Sequence, residues 1–217
     1  MSNYKHMKTC NLYGESLDWI NGELLGDGCI QTRSQLTGYF VYTSKYLEYI
    51  KYVSDTLQRF GIDRAGKIRK NFNSKFNKYT YQYGSCSYYE LKILQEAWYL
   101  DGIKDVPMDI KLTPLVCRQW YIGDGNLYQG KECRPSITLA TCSFSISAVN
   151  RLVKQLISMG FHSTRKPSNN VIHISTYSTS AFINYIGKCP VDCYKYKWDL
   201  TLHKTFRERR ETYVNPT

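Results

Sequence analysis

Two aspartates stand in the same unusual setting. Asp27 lies between glycines at the end of W-I-N-G-E-L-L-G-D-G (Trp19–Gly28), and Asp124 lies between glycines at the end of Q-W-Y-I-G-D-G (Gln119–Gly125). One Gly-Asp-Gly is a turn signal; two of them, each behind an apolar run, need a further reason. Leu17, Ile20, Leu24 and Leu25 recur at helical spacing in the first stretch, and Leu115, Val116, Trp120 and Ile122 do roughly so in the second. Pro114 after Thr113 marks a helix start, and Gly28 and Gly125 are expected as stops. Both acids then fall in a last turn, where the helix dipole is negative and a carboxylate is disfavoured by ~0.3–1 kcal/mol. No lysine or arginine stands beside either one. A bound divalent cation is one candidate for the missing positive charge.

A second set of side chains suits a polyanion. From Arg64 to Lys78 the chain carries six basic residues and no acid. Side chains alternate across a strand, so Lys67, Arg69 and Asn71 share one face, while Lys78, Thr80 and Gln82 share one on the returning strand. A two-stranded ribbon fits a major groove, where Lys and Arg meet phosphates or guanine and Asn and Gln meet adenine. Lys70, Arg33 and Arg134 add charge nearby in sequence or in the second half, and Arg165 and Lys166 belong to a second, weaker ribbon. The net charge of +11 points the same way, to nucleic acid before other partners.

The elements that would hold these residues come twice. Asp27 and Asp124 are 97 positions apart (124 − 27), and other features recur near that offset. After each Gly-Asp-Gly comes a strand pair: Cys29–Arg33 with Tyr39–Thr43, and Asn126–Gln129 with Ser136–Thr141. Leu47, Ile50, Val53, Leu57 and Phe60 line one helix face; Val149, Leu152, Val153, Leu156 and Ile157 line its counterpart. The two helices end alike, at R-F-G-I (Arg59–Ile62) and M-G-F (Met159–Phe161). A basic strand pair and a closing helix follow in each half. The expected class is α+β, a pseudo-two-fold duplication of αββαββα with two antiparallel sheets. The expected halves are residues 1–105 and 113–217, joined by a linker at 106–112. His203–Thr212 reads as a charged, helical tail.

Eight cysteines in a chain whose first residues hold no apolar segment are expected as reduced thiols. Cys189 and Cys193 have the spacing of half a zinc site, with no second pair at a zinc-finger interval. The expected setting is an intracellular, reducing compartment, cytoplasm or organelle matrix, without secretion or membrane insertion.

With these residues assembled, the chain resembles the LAGLIDADG homing endonucleases in their monomeric, two-motif form. I-N-G-E-L-L-G-D-G (Ile20–Gly28) aligns as the first motif and C-R-Q-W-Y-I-G-D-G (Cys117–Gly125) as the second. The duplicated layout and S-I-T-L-A-T-C-S-F-S (Ser136–Ser145) add to the likeness. The resemblance implies that the motif helices pack together at the centre of a DNA-binding saddle, with Gly22 and Gly26 allowing close approach. Gln119 and Trp120 at the crossing depart from that pattern. Asp27 and Asp124 would be the catalytic acids and hold Mg²⁺, with the carbonyls of Gly26 and Gly123 assisting and Mn²⁺ or Ca²⁺ binding in its place. A lysine near each site is implied: Lys104, and Lys195 with Lys197 as the alternative. Thr43 and Thr141, or Cys142, would border the water pocket. The implied activity is double-strand cleavage of a long asymmetric DNA site across the minor groove, leaving 3′ overhangs, by a monomer. The alternative is a non-cleaving maturase that binds its own intron RNA.

Overall fold

The computed structural model describes residues 8–74, 77–129 and 134–201. The expected tail helix at His203–Thr212 lies outside these. The chain forms two compact units, one of residues 1–20 and 27–103, the other of residues 21–26 and 104–217. The second half of the first motif helix therefore belongs with the second unit. The expected linker, 106–112, does too. There Val106, Ile110 and Leu112 are buried, and Arg151 and Gln155 donate to the carbonyls of Val106 (2.7 Å) and Ile110 (3.0 Å).

In the first unit, α1 (Glu15–Leu25) enters β1 (Cys29–Thr32) and β2 (Gly38–Ser44), then α2 (Leu47–Arg59), β3 (Arg69–Asn73), β4 (Lys78–Gly84) and α3 (Tyr89–Trp98). A short hairpin of β5 (Tyr99–Leu100) and β6 (Ile103–Lys104), absent from the sequence-based expectation, follows. In the second unit the same order returns. It runs α4 (Pro114–Asp124), β7 (Gly125–Tyr128), β8 (Ser136–Leu139), α5 (Ile146–Ser158), β9 (Ser163–Lys166), β10 (Val171–Ile174) and α6 (Thr176–Ile186), and a 3₁₀ helix (Asp192–Lys197) closes the described chain. Each sheet is antiparallel and has the same order, β1-β2-β4-β3 and β7-β8-β10-β9. The duplicated αββαββα pattern read from the sequence is the fold.

Period-two burial decides the faces. Phe40, Tyr42 and Tyr83 are fully or almost fully buried, and Tyr42 meets Tyr49 of α2 edge-on at 5.3 Å. The inner face of the first sheet therefore packs on α2, through Ile50, Val53 and Leu57. In the second unit Leu127, Ile137, Leu139, Ile172 and Ile174 do the same beneath Val149, Leu152 and Leu156 of α5. Burial of this kind is worth about 1.5–3 kcal/mol per large apolar side chain. The matched helix ends are real: Gly61 and Gly160 take φ of +76° and +89°, and Ile62 and Phe161 donate back to Leu57 and Leu156 at 2.9 Å each. These are glycine-dependent helix stops.

Gly28 and Gly125 are not such stops, because neither adopts a positive φ. Gly125 is extended, φ −81° and ψ 143°, and α4 runs straight into β7. The glycine is needed there because a Cβ would lie 2.4 Å from the Tyr121 carbonyl and closer still to its ring. Among the described residues no helix is long and apolar enough to cross a membrane.

Candidate active site and nucleic-acid interface

The candidate catalytic residues stand at the ends of the two motif helices. Thr113 caps α4, its hydroxyl accepting from Val116 N at 3.3 Å, with Pro114 at the first helical position. Within the second unit, residues 21–26 lie against α4. A Cβ on Gly22 would stand 2.6 Å from the Val116 carbonyl and 2.7 Å from the Gln119 Cβ. Gln119, the departure noted at the crossing, is thus matched by a glycine opposite, and Trp120 is fully buried. One turn on, a Cβ on Gly26 would be 3.3 Å from the Gly123 Cα.

Cations reach both helix ends, but from far along the chain. Lys104 Nζ donates to the Gly26 carbonyl at 3.3 Å and stands 6.0 Å from the centre of the Phe144 ring. Lys197 Nζ donates to the carbonyls of Tyr121 (3.3 Å), Ile122 (2.6 Å) and Gly123 (3.2 Å), and the residue is buried. These are last-turn carbonyls of α4, the part of a helix where carbonyls run out of helical partners; that of Tyr121 also accepts from Gly125 N. An ammonium there offsets the dipole that disfavours Asp124. The missing positive charge is therefore supplied, at least in part, by lysines that the local sequence does not show.

The 3₁₀ helix decides which lysine reaches α4. With three residues per turn, positions i and i+3 eclipse. Asp192 and Lys195 share one side and pair at 2.6 Å, largely in solvent. Tyr194 and Lys197 share the other, with Nζ 5.1 Å over the ring, and that side is buried. Lys197, not Lys195, thus reaches α4. It lies 93 positions beyond Lys104 (197 − 104), nearer the repeat offset than Lys195.

Asp124 is half-buried, and its backbone carbonyl accepts from Ala140 N at 2.9 Å, which ties the helix end to the end of β8. Asp27, in the first unit, is exposed. Thr141 is buried and donates to the Asn170 carbonyl at 2.5 Å, whereas Thr43 and Cys142 are exposed. Among the described residues no three His, Cys, Asp or Glu side chains cluster as a metal cage. Each helix end instead offers one carboxylate beside backbone carbonyls. An all-oxygen, partly open donor set suits Mg²⁺, which keeps several waters, better than zinc.

The outer face of the first sheet is a polar surface. Register places Arg69 opposite Gln82, Asn71 opposite Thr80, and Thr43 opposite Gln82 on the other side. A groove of about 270 Å³ lies on it, lined by Gln31, Arg33, Tyr39, Lys67, Arg69 and Gln82 among others. Tyr39 OH donates to Gln31 at 2.6 Å, and the Arg33 guanidinium sits 5.5 Å from the Tyr39 ring centre. Lys78 shares this face. Lys70 does not: it pairs with Tyr81, on the helix side of the sheet, and its Nζ lies 4.0 Å over the Tyr79 ring.

In the second unit the outer face holds Asn126, Thr138, His173, Thr164 and Lys166. Burial and Lys166 together push the His173 pKa down. Arg165 pairs with buried Ile172 and turns inward, donating to Asn150 of α5 (3.2 Å) and Asn170 (3.4 Å). Arg134 is exposed in the loop before β8. Strand alternation in Ser163–Lys166 was the signal that separates Lys166 from Arg165. Gln31, Tyr39 and His173 carried no charge pattern to single them out.

A profile of the LAGLIDADG DNA endonuclease family matches residues 17–182, which is most of the chain. The chain belongs to that family. This LAGLIDADG chain has the fold of the structure titled "The homing endonuclease I-WcaI bound to its DNA recognition sequence", at a TM-score of 0.73 and 18% identity, over 90% of this chain and 89% of that one. It is 30% identical over 152 residues to an uncharacterized protein, MJ1098, of Methanocaldococcus jannaschii. The match covers 69% of this chain and 58% of the relative, so the chain spans little more than half of that relative's length. It is 27% identical over 205 residues to the cytochrome b mRNA maturase bI2 of Debaryomyces hansenii, covering 84% of this chain and 73% of that protein.

Proposed function

We propose that this LAGLIDADG chain is a site-specific DNA endonuclease acting as a monomer on a long, asymmetric duplex site. Asp27 and Asp124 are the catalytic acids, and with the Gly26 and Gly123 carbonyls they hold Mg²⁺ at the scissile phosphates. The observation that carries the reading is the matched pair of helix ends, each with an acid directly after a glycine whose carbonyl accepts from a lysine. A duplicated acid and a duplicated lysine suit two cuts, one per strand.

When bound, the cation supplies an activated water and charge for the leaving oxygen. The chain's own groups do the rest. Lys197, with its donors on helix-end carbonyls, acts as a positioning charge beneath Asp124. Lys104, half-buried, keeps access to solvent and to a phosphate. Arg33, Lys67, Arg69, Lys78 and Lys166 bind phosphates or base edges, with Gln82 and Asn71 as adenine readers. Cleavage across the minor groove, leaving 3′ overhangs, is the outcome that the family resemblance implies for this pair of acids.

Likeness to a maturase makes RNA binding without cleavage the second reading. Retention of both acids favours the nuclease, because a pure binder has no use for them. Purified chain with Mg²⁺, selected on a randomised duplex library, should enrich one cut site. Asp27→Asn and Asp124→Asn should each abolish double-strand cleavage and leave binding intact. A selected site cut equally well by Asp124→Asn would end the proposal.

A further inference from the structure

The β3–β4 hairpin has a second feature, on the helix side of its sheet. Along β4, Tyr83 is buried beside α2, Tyr81 is half-buried, and Tyr79 is 51% exposed. The hairpin thus extends past the helix that covers its base. At its outer end Phe72, 53% exposed, stands opposite Tyr79. The ring centroids are 4.9 Å apart and the planes 51° from parallel. Lys70, on the same face, holds its ammonium 4.0 Å over Tyr79. Two aromatic rings are left in water, beside a cation, in a stretch with six bases and no acid.

Apolar rings alone would suit a protein partner. Rings with a cation over them, in a stretch of sequence without an acid, suit a base and its phosphate, the combination that stacking platforms for single strands use. Intact duplex keeps its bases stacked and offers none to this face. RNA loops and bulges present unpaired bases for stacking on aromatic side chains. We propose that Phe72, Tyr79 and Lys70 form a stacking site for unpaired RNA bases, on the side of the first sheet opposite its polar groove. The proposal rests on the endonuclease reading only for what occupies that groove.

A cross-strand aromatic pair also steadies a hairpin, so the test must separate the two roles. The full chain is titrated with an RNA stem-loop that carries a fluorescent adenine analogue in its loop, and separately with a paired DNA duplex. The double variant Phe72→Leu/Tyr79→Leu keeps the apolar cross-strand contact and removes the rings. Stem-loop affinity should fall roughly tenfold or more and quenching of the analogue should vanish, with duplex affinity unchanged. Phe72→Tyr/Tyr79→Phe should bind the stem-loop like the parent. Three results overturn the proposal. The leucine variant binds the stem-loop like the parent, which leaves a protein-docking patch. RNA and duplex affinity fall together while the circular-dichroism melt matches the parent's, which makes the rings part of one general nucleic-acid surface. A DNA stem-loop shows the same dependence, which moves the site to unpaired DNA. A parent chain that fails to bind duplex counts against the endonuclease reading alone, since the stem-loop readout does not use the groove.

Discussion

Gly22→Ala sets two effects of opposite sign against each other. Alanine is favoured over glycine inside a helix by about 0.5–1 kcal/mol. The new methyl, however, would sit 2.6 Å from the Val116 carbonyl oxygen, 2.7 Å from the Gln119 Cβ and 3.0 Å from the Val116 Cα. Carbon atoms in contact settle at about 3.5–4.0 Å, so the helices must separate by most of an ångström. Two of the three obstructing atoms are backbone of a buried helix, and no rotamer change moves them. Overpacking of this kind costs about 1–3 kcal/mol. The net is a loss of up to roughly 2.5 kcal/mol, and at about 2–4 °C per kcal/mol for a chain of this size the Tm should fall by up to roughly 10 °C. Thermal unfolding followed by far-ultraviolet circular dichroism reads it. Gly26→Ala, whose nearest neighbour is at 3.3 Å, should fall less. A Gly22→Ala protein that melts higher than the parent would mean propensity wins and the close approach is not as drawn.

The remaining predictions concern charge and access. Lys197→Met removes the ammonium from three helix-end carbonyls and should cost on the order of 2 kcal/mol, together with cleavage. Lys195→Met breaks an exposed pair with Asp192 and should stay within about 0.5 kcal/mol; equal melting shifts would refute the assignment. Arg69→Glu should weaken duplex binding and flatten its dependence on salt, each lost phosphate contact lowering the slope of log K against log salt by about 0.9. Arg165→Glu, whose guanidinium is held by Asn150 and Asn170, should lower the Tm with little change in that slope. Among the described cysteines, mass-spectrometric thiol labelling of the folded chain should modify exposed Cys142 first. Cys117 should label only on unfolding, because full burial pushes its thiol pKa up and closes access.

Much of the architecture was legible because the signals that make it are local. Apolar spacing along Leu47–Leu57 and Val149–Leu156 is a property of a dozen consecutive residues, and both helices formed where it runs. Thr113–Pro114 announced the start of α4, and Ser163–Lys166 formed a strand at its expected bounds. The repeat of Gly-Asp-Gly was enough to single out Asp27 and Asp124 as candidates. Gly125 ends α4 as expected, but in extended rather than left-handed backbone, and its glycine is required because a Cβ would meet the Tyr121 ring, a reason that the sequence does not show. Lys70 and Arg165 looked like their basic neighbours, yet strand alternation turned each to the helix side of its sheet.

By itself, then, the sequence determined the doubled fold and the family and singled out the two carboxylates as candidates, since each is written in short-range pattern. Only the tertiary structure decided which cations complete the helix ends. Lys104 lies 78 residues from Gly26 and Lys197 lies 74 from Gly123. Whether a flexible ammonium meets a carbonyl or water depends on burial and on the turn of a 3₁₀ helix. Neither quantity is carried by the residues beside the lysine.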